Sequence, residues 1–230
     1  MVSILGDIGS HKTCDGLRAR FFQRNGSLSL GSKSILEFLG EVARISPRVP
    51  AAGCVVGLCG ASSAALARFV ATLTHRKAEE GTWRERLEAM MERLAILEER
   101  CVHMMDRDLE VCLESFCAKL EAKEASVQGS GKGGDPAKAI MEPPVILLKC
   151  GIELLRISLE LVQRGAPVCK ADAGVAGAMA NACGRGALWI ARSNLQGLDG
   201  QTRKIQEEML DNMEMELEAL HGRLVEEMDR

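Results

Sequence analysis

From Trp83 the apolar side chains fall in alternating steps of four and three residues: Trp83, Leu87, Met90, Leu94, Leu97, Cys101 and Met104. That spacing is the signature of a helix with one buried stripe, as in bundles and coiled coils. Thr82 is positioned to cap it, and Leu109, Cys112, Leu113, Phe116 and Leu120 form a second stretch behind it. The closing segment repeats the pattern with Leu210, Met213, Leu217, Leu220 and Leu224, predicting a helix over 201–228. Upstream, Ile35, Leu36, Phe38, Leu39, Val42 and Ala43 predict a helix over 33–45, with Ser32 or Ser34 as N-cap. Pro47 and Pro50 end it. Pro143 and Pro144 open a further helix over 145–164.

Two segments break the amphipathic pattern because nearly every position is small. Residues 53–74 carry Gly53, Gly57 and the Gly60-Ala61 pair one helical turn apart. Residues 172–195 carry Gly174, Gly177, Ala178, Asn181, Gly184 and Gly186, preceded by a turn over 165–171 and capped by Asp172. Small faces let helix backbones approach closely, which favours one compact bundle or a dimer with a helical interface. The predicted architecture is therefore all-α: an antiparallel helical bundle with two close-packed small-residue helices, expected to be dimeric. Residues 1–31 read as a flexible N-terminal extension, and 32–230 as the helical domain. A flexible, Gly-rich loop is expected at about 126–136. Its Gly-Ser-Gly-Lys run lacks the phosphate-loop spacing and has no preceding strand.

Composition sharpens this picture. Tyr is absent and aromatics make up 3% of the 230 residues, which argues against strand-rich folds. A net charge of −3 leaves no polybasic footprint for nucleic acid. Positions 50–67 carry no charge and reach spanning length, but their Ala, Gly, Ser and Cys are weakly hydrophobic and Arg68 interrupts the run. The reading is a buried helix of a soluble chain with no membrane partner. The nine Cys form no CxxC pair, so they read as buried thiols in a reducing cytoplasm. The four His lack ligand spacing with them, and no metal site is expected. No signal-peptide pattern opens the sequence.

Two segments carry a family resemblance. The first runs from Pro50-Ala-Ala-Gly-Cys through an Ala-rich helix to Leu73-Thr74, behind Ile35-Leu-Glu-Phe-Leu39. The second is Gly165-Ala-Pro-Val-Cys-Lys-Ala-Asp172, followed by Gly186-Ala-Leu-Trp-Ile-Ala-Arg-Ser-Asn-Leu195. With Pro143-Pro144 and Asp106-Arg-Asp108 in the expected order, the stretch 33–225 resembles the formiminotransferase-cyclodeaminase and methenyltetrahydrofolate cyclohydrolase family. The resemblance implies an all-helical homodimer with a folate cleft. It implies a tetrahydrofolate derivative as substrate and no separate cofactor. The family's reactions close formiminotetrahydrofolate with loss of ammonia, or hydrolyse the methenyl bridge. Both need an acid/base group and cations for the folate tail.

Carried onto this chain, the resemblance implies Asp172 as the acid/base, a residue that equally suits an N-cap. Gly53 and Cys54 would form the substrate turn, or simply pack. Lys170 and Arg192 would meet the folate carboxylates, or stay solvated. Asn194 would bind the pterin, or close its helix. The family's Gly-Gly-Gly-Ser turn reads Ala51-Ala52-Gly53-Cys54 here, its turn asparagines are Ala166 and Val168, and an expected helix asparagine is Ile190. These losses remove polar groups that would orient a pterin while leaving packing intact. They set a second reading beside the enzyme: a catalytically inactive relative that binds a folate or a partner protein. A purely structural coiled-coil adaptor is the third.

Overall fold

The computed structural model describes residues 29–44, 52–125 and 136–230. Six helices of eight or more residues account for most of them: α1 (Ile35–Val42), α2 (Ala52–Lys77), α3 (Thr82–Ala125), α5 (Glu142–Arg164), α6 (Lys170–Asn194) and α7 (Gly200–Met228). A four-residue α4 (Pro136–Ala139) precedes α5. No strand occurs among the described residues. The expectations for 1–28, for Pro47 and Pro50, and for the loop at 126–135 lie outside the described residues.

α2 runs through the centre and packs on α3, α6 and α5; α7 closes the far side against α5 and α6. α3 and α6 run antiparallel to α2, whereas α5 runs parallel to it, the end of α5 meeting Thr74 through Ala166. A Cβ on Gly57 would strike Met105, and one on Gly60 would strike the thiols of Cys101 and Cys183. Ser63 Oγ donates to the Ala176 carbonyl at 2.7 Å, within the α2–α6 contact. α5 and α6 approach backbone to backbone at their glycines. A Cβ on Gly151 would lie 2.6 Å from Gly184 N and 2.8 Å from Gly184 Cα. The small residues thus act as predicted: they bring backbones together where larger side chains would hold them apart.

The seam of α3 is buried from Leu87 through Leu94, Leu97 and Cys101 to Met104, and Leu210, Leu217, Leu220 and Leu224 of α7 join the same core. Trp83 is half-buried, with the Arg164 guanidinium stacked 3.9 Å from its ring centre. Inter-helix ion pairs such as Arg93 to Glu153 at 2.6 Å and Arg86 to Glu160 at 3.0 Å fix register. Being still partly exposed, each adds about 1 kcal/mol or less. Six of the described cysteines are buried. The Cys150 thiol is pushed up by its hydrogen bond to Cys101 and by burial, so it stays protonated as a packing group.

Several boundaries differ from the sequence expectation. α1 is shorter at both ends and starts after Ser34, whose hydroxyl and Glu37 form a reciprocal capping box. α3 is one continuous helix of 44 residues, with Thr82 as its first residue rather than its cap. Gly81 precedes it at φ 140°, a conformation that favours glycine. α5 begins three residues early and takes both prolines in its first turn, where their missing N–H groups cost nothing.

Asp172 does not cap α6. Pro167 starts a 3-10 turn (Pro167–Cys169) that leads directly into a helix beginning at Lys170. Asp172 is therefore the third helical residue, and Cys169 sits at the N-cap without a side-chain cap bond. α2 is long and apolar enough by length and composition to cross a membrane, but 56% of its apolar window is buried against the other helices.

Candidate functional site

The first turn of α2 meets the middle of α3 at Gly53. A Cβ there would overlap the carboxylate of Asp108, so glycine is what allows the carboxyl group to lie on the helix start. Cys54 follows, fully buried. Its thiol donates to the Met105 carbonyl oxygen at 3.3 Å and stands 3.9 Å from Asp108 Oδ2. Asp108 itself is only 6% exposed. Burial pushes its carboxyl up from 3.8 to about 6, against a smaller lowering by the Cys54 thiol. Near neutral pH such a group both takes and gives a proton, which is what acid/base chemistry demands. The neighbouring Asp106 is committed elsewhere: it accepts from the Ser29 hydroxyl and from the Leu30 N–H at 2.8 Å. Arg107 pairs with Glu110 and Glu142.

The structure divides the sequence-predicted residues into two groups. Gly53 and Cys54 lie at the Asp108 end. Arg192 and Asn194, at the C-terminus of the antiparallel α6, lie toward the same end. Both are engaged in the fold. Arg192 binds Asp211 at 2.7 Å and also Glu214, joining α6 to α7. Asn194 Nδ2 donates to the Ile140 carbonyl at 3.0 Å, tying off α6. Lys170 and Asp172 stand half-buried at the opposite end of α6. Gly53 and Ser63 are ten residues apart on α2, and Ala176 and Asp172 four apart on α6. Helical rise then separates the two groups by about 20 Å within one chain.

Two of the three positions where polar groups were expected are packing positions. The Ala166 N–H donates to Thr74 Oγ1 at 2.9 Å and the residue is buried. Ile190 packs on the main core. Val168 is exposed.

Asp108 was not among the predicted site residues, yet its signal lies in the seam. Leu94, Leu97, Cys101 and Met104 step by three and four, and the next step lands on position 108. A carboxylate at a core position of a buried stripe is costly unless it has a purpose.

The family model described as formiminotransferase-cyclodeaminase matches residues 34–215. A solved structure described as formiminotetrahydrofolate cyclodeaminase, from Thermotoga maritima, superposes with a TM-score of 0.75 at 21% identity, covering 87% of this chain and 98% of that one. At that identity the likeness establishes the shared helical fold. No curated protein matches the chain.

Proposed function

Because the chain belongs to the formiminotransferase-cyclodeaminase family, we propose that it is a folate one-carbon enzyme with Asp108 as its acid/base group. The substrate is a tetrahydrofolate carrying a formimino or methenyl unit, and the reaction is cyclodeamination or cyclohydrolysis without a further cofactor. The protein works in the cytoplasm as a homodimer. One observation carries the assignment of the group: a buried carboxyl, poised at about 6, seated on the glycine turn of α2.

In the deaminating direction N10 of the folate attacks the formimino carbon and gives up its proton as the new C–N bond forms. The formimino nitrogen enters protonated, as an amidinium. Asp108 as carboxylate takes the N10 proton and, now protonated, returns it to the departing NH2 group as the old C–N bond breaks, leaving the methenyl cation. Ammonia leaves and the methenyl bridge remains. In the hydrolytic direction the same carboxylate takes a proton from water as its oxygen adds to the methenyl carbon, then returns it to one bridging nitrogen as that C–N bond breaks, the adduct's hydroxyl losing its proton to solvent to leave a formyl group. The backbone N–H groups of the first α2 turn favour negative charge beside them.

Release or consumption of methenyltetrahydrofolate is followed by its absorbance. Asp108→Asn is expected to lower kcat by about 100-fold or more, the usual weight of a general acid/base. Equal rates for Asp108→Asn and the native chain would defeat the assignment. The inactive-relative reading is favoured by the commitment of Arg192 and Asn194 to structural bonds. Folate binding by calorimetry without turnover would establish it.

A further inference from the structure

The Cys54 thiol has a single hydrogen to give and two acceptors within its reach. The Met105 carbonyl oxygen lies 3.3 Å from Sγ, and Asp108 Oδ2 lies 3.9 Å from it. The first acceptor belongs to the backbone of α3, the second to a side chain one helical turn further along. Rotation about the Cβ–Sγ bond carries the hydrogen from one acceptor to the other without moving a heavy atom. Cys54 is fully buried and Asp108 nearly so, so the exchange takes place away from water.

We propose that Cys54 is a positioning residue whose thiol follows the proton on Asp108: it donates to the Met105 carbonyl while the carboxyl is neutral and turns to Oδ2 once the carboxyl is charged. Its effect on turnover rests on the function proposed above; the exchange of partners does not.

The two acceptors differ in a way that drives the exchange. Met105 lies within α3, so its carbonyl already accepts an N–H from the next helical turn and keeps that bond when the thiol leaves. A neutral carboxyl is an ordinary acceptor, and the nearer Met105 oxygen then holds the thiol. An ionised carboxyl at the same place is a buried charge, which is costly without a donor. Hydrogen bonds to ionised acceptors are roughly twice as strong as those between neutral groups, which turns the preference toward Oδ2. The thiol therefore supports the charged form and draws Asp108 down, against the larger upward push of burial. A weak donor suits this task. It steadies the carboxylate without holding it in the ordinary acidic range, where it would be a poor proton carrier near neutral pH.

The charged and titratable groups on the surrounding elements have other engagements. On α3, Asp106 accepts from Ser29 and Leu30, and Arg107 pairs with Glu110 and with Glu142 of α5. The thiols of Cys101 and Cys112 lie two turns before Asp108 and one turn after it. At α1, Lys33 pairs with Glu41, and Glu37 closes the capping box on Ser34. Lys138 of α4 acts on Asp199, and Arg192 of α6 is bound by Asp211 and Glu214. α2 carries no charge from Ala52 to Ala67. Among the described residues, the Cys54 thiol is the donor placed to answer ionisation of Asp108.

The test is infrared difference spectroscopy of the S–H stretch in the full chain, recorded on either side of the Asp108 midpoint. Subtracting the spectrum of Cys54→Ala identifies the band of this thiol among the others. The expected result is a shift to lower frequency as pH rises through about 6, since a charged acceptor weakens the S–H bond, and no such shift in Asp108→Asn. A Cys54 band that stays in place, or one that moves equally in Asp108→Asn, would overturn the proposal. A second arm reads the pH profile of kcat/KM, which reports the free enzyme. With the donor removed, the acid limb of Cys54→Ala should move up by about half a pH unit, roughly a threefold fall in the ionised fraction on that limb. An unmoved midpoint with a uniformly lower rate would assign Cys54 to packing alone and refute its role in turnover. A native chain inert toward folates would defeat the proposed function and leave the infrared band to decide the exchange.

Discussion

Asp108→Asn has a second consequence that needs no substrate. The native carboxyl has a folded-state value of about 6 against 3.8 in its ordinary state. The folded chain therefore holds this proton more tightly than the unfolded chain. The associated stability is fully present below about pH 4 and is lost as pH rises through about 6. A shift of that size, at 1.36 kcal/mol per unit, amounts to about 3 kcal/mol. Asparagine has nearly the same shape and cannot ionise. The difference in unfolding free energy, variant minus native, should then climb by about 3 kcal/mol between pH 4 and pH 8. The assay is urea unfolding followed by circular dichroism at four or five pH values, on both proteins. At pH 8 the variant should be the more stable protein while its turnover collapses, the mark of a group kept for chemistry at a cost to the fold. A flat difference curve, or one that falls with pH, would refute the claim that burial holds this carboxyl up.

Gly151→Ala places a Cβ against the backbone of Gly184, where no side chain can move aside. Thermal melts should show a loss of about 3 kcal/mol or more. Ser63→Ala removes the buried bond to the Ala176 carbonyl, and its melting curve should show a loss of about 1 kcal/mol. Arg192→Ala cuts exposed ion pairs to Asp211 and Glu214 and should cost less than about 1 kcal/mol. Calorimetry should find its folate affinity unchanged, because the guanidinium is already occupied by α7.

The helices were legible because their apolar spacing is regular and because stretches so rich in small residues suit little besides close helix packing. Leu87 to Met104 and Leu210 to Leu224 lie in the core where the period placed them. The start of α6 was misread for a local reason. Asp172 has the right chemistry for a cap, but the 3-10 turn at Pro167 winds the chain into the helix before Asp172 is reached. The candidate site was half legible. Gly53 and Cys54 were singled out by the turn they occupy. Asp108 lies 55 residues further along the chain, and only the packing of α3 on α2 joins them. A seam reading that follows apolar positions passes over the charged residue that continues the seam. Arg192 and Asn194 were each read as a ligand group or as a solvated or helix-closing one, and no sequence pattern reveals that Asp211, Glu214 and the Ile140 carbonyl engage them.

α3 is 44 residues long, about 66 Å, and it outruns the bundle it belongs to. Its later turns leave the main core and hold a separate cluster of Leu30, Phe38, Cys54, Met105, Leu109, Leu113 and Cys117. That cluster secures α1 through Phe38 as its one buried residue. Such a satellite has its own, smaller free energy of opening, since few apolar contacts must part to release it. Its amides should exchange with solvent deuterium well before those of α5 and α6. The carboxyl of Asp108 lies at the seam between these two cooperative units. Under the proposed function, a folate would reach it by loosening the smaller unit, while the bundle that fixes the geometry stays folded.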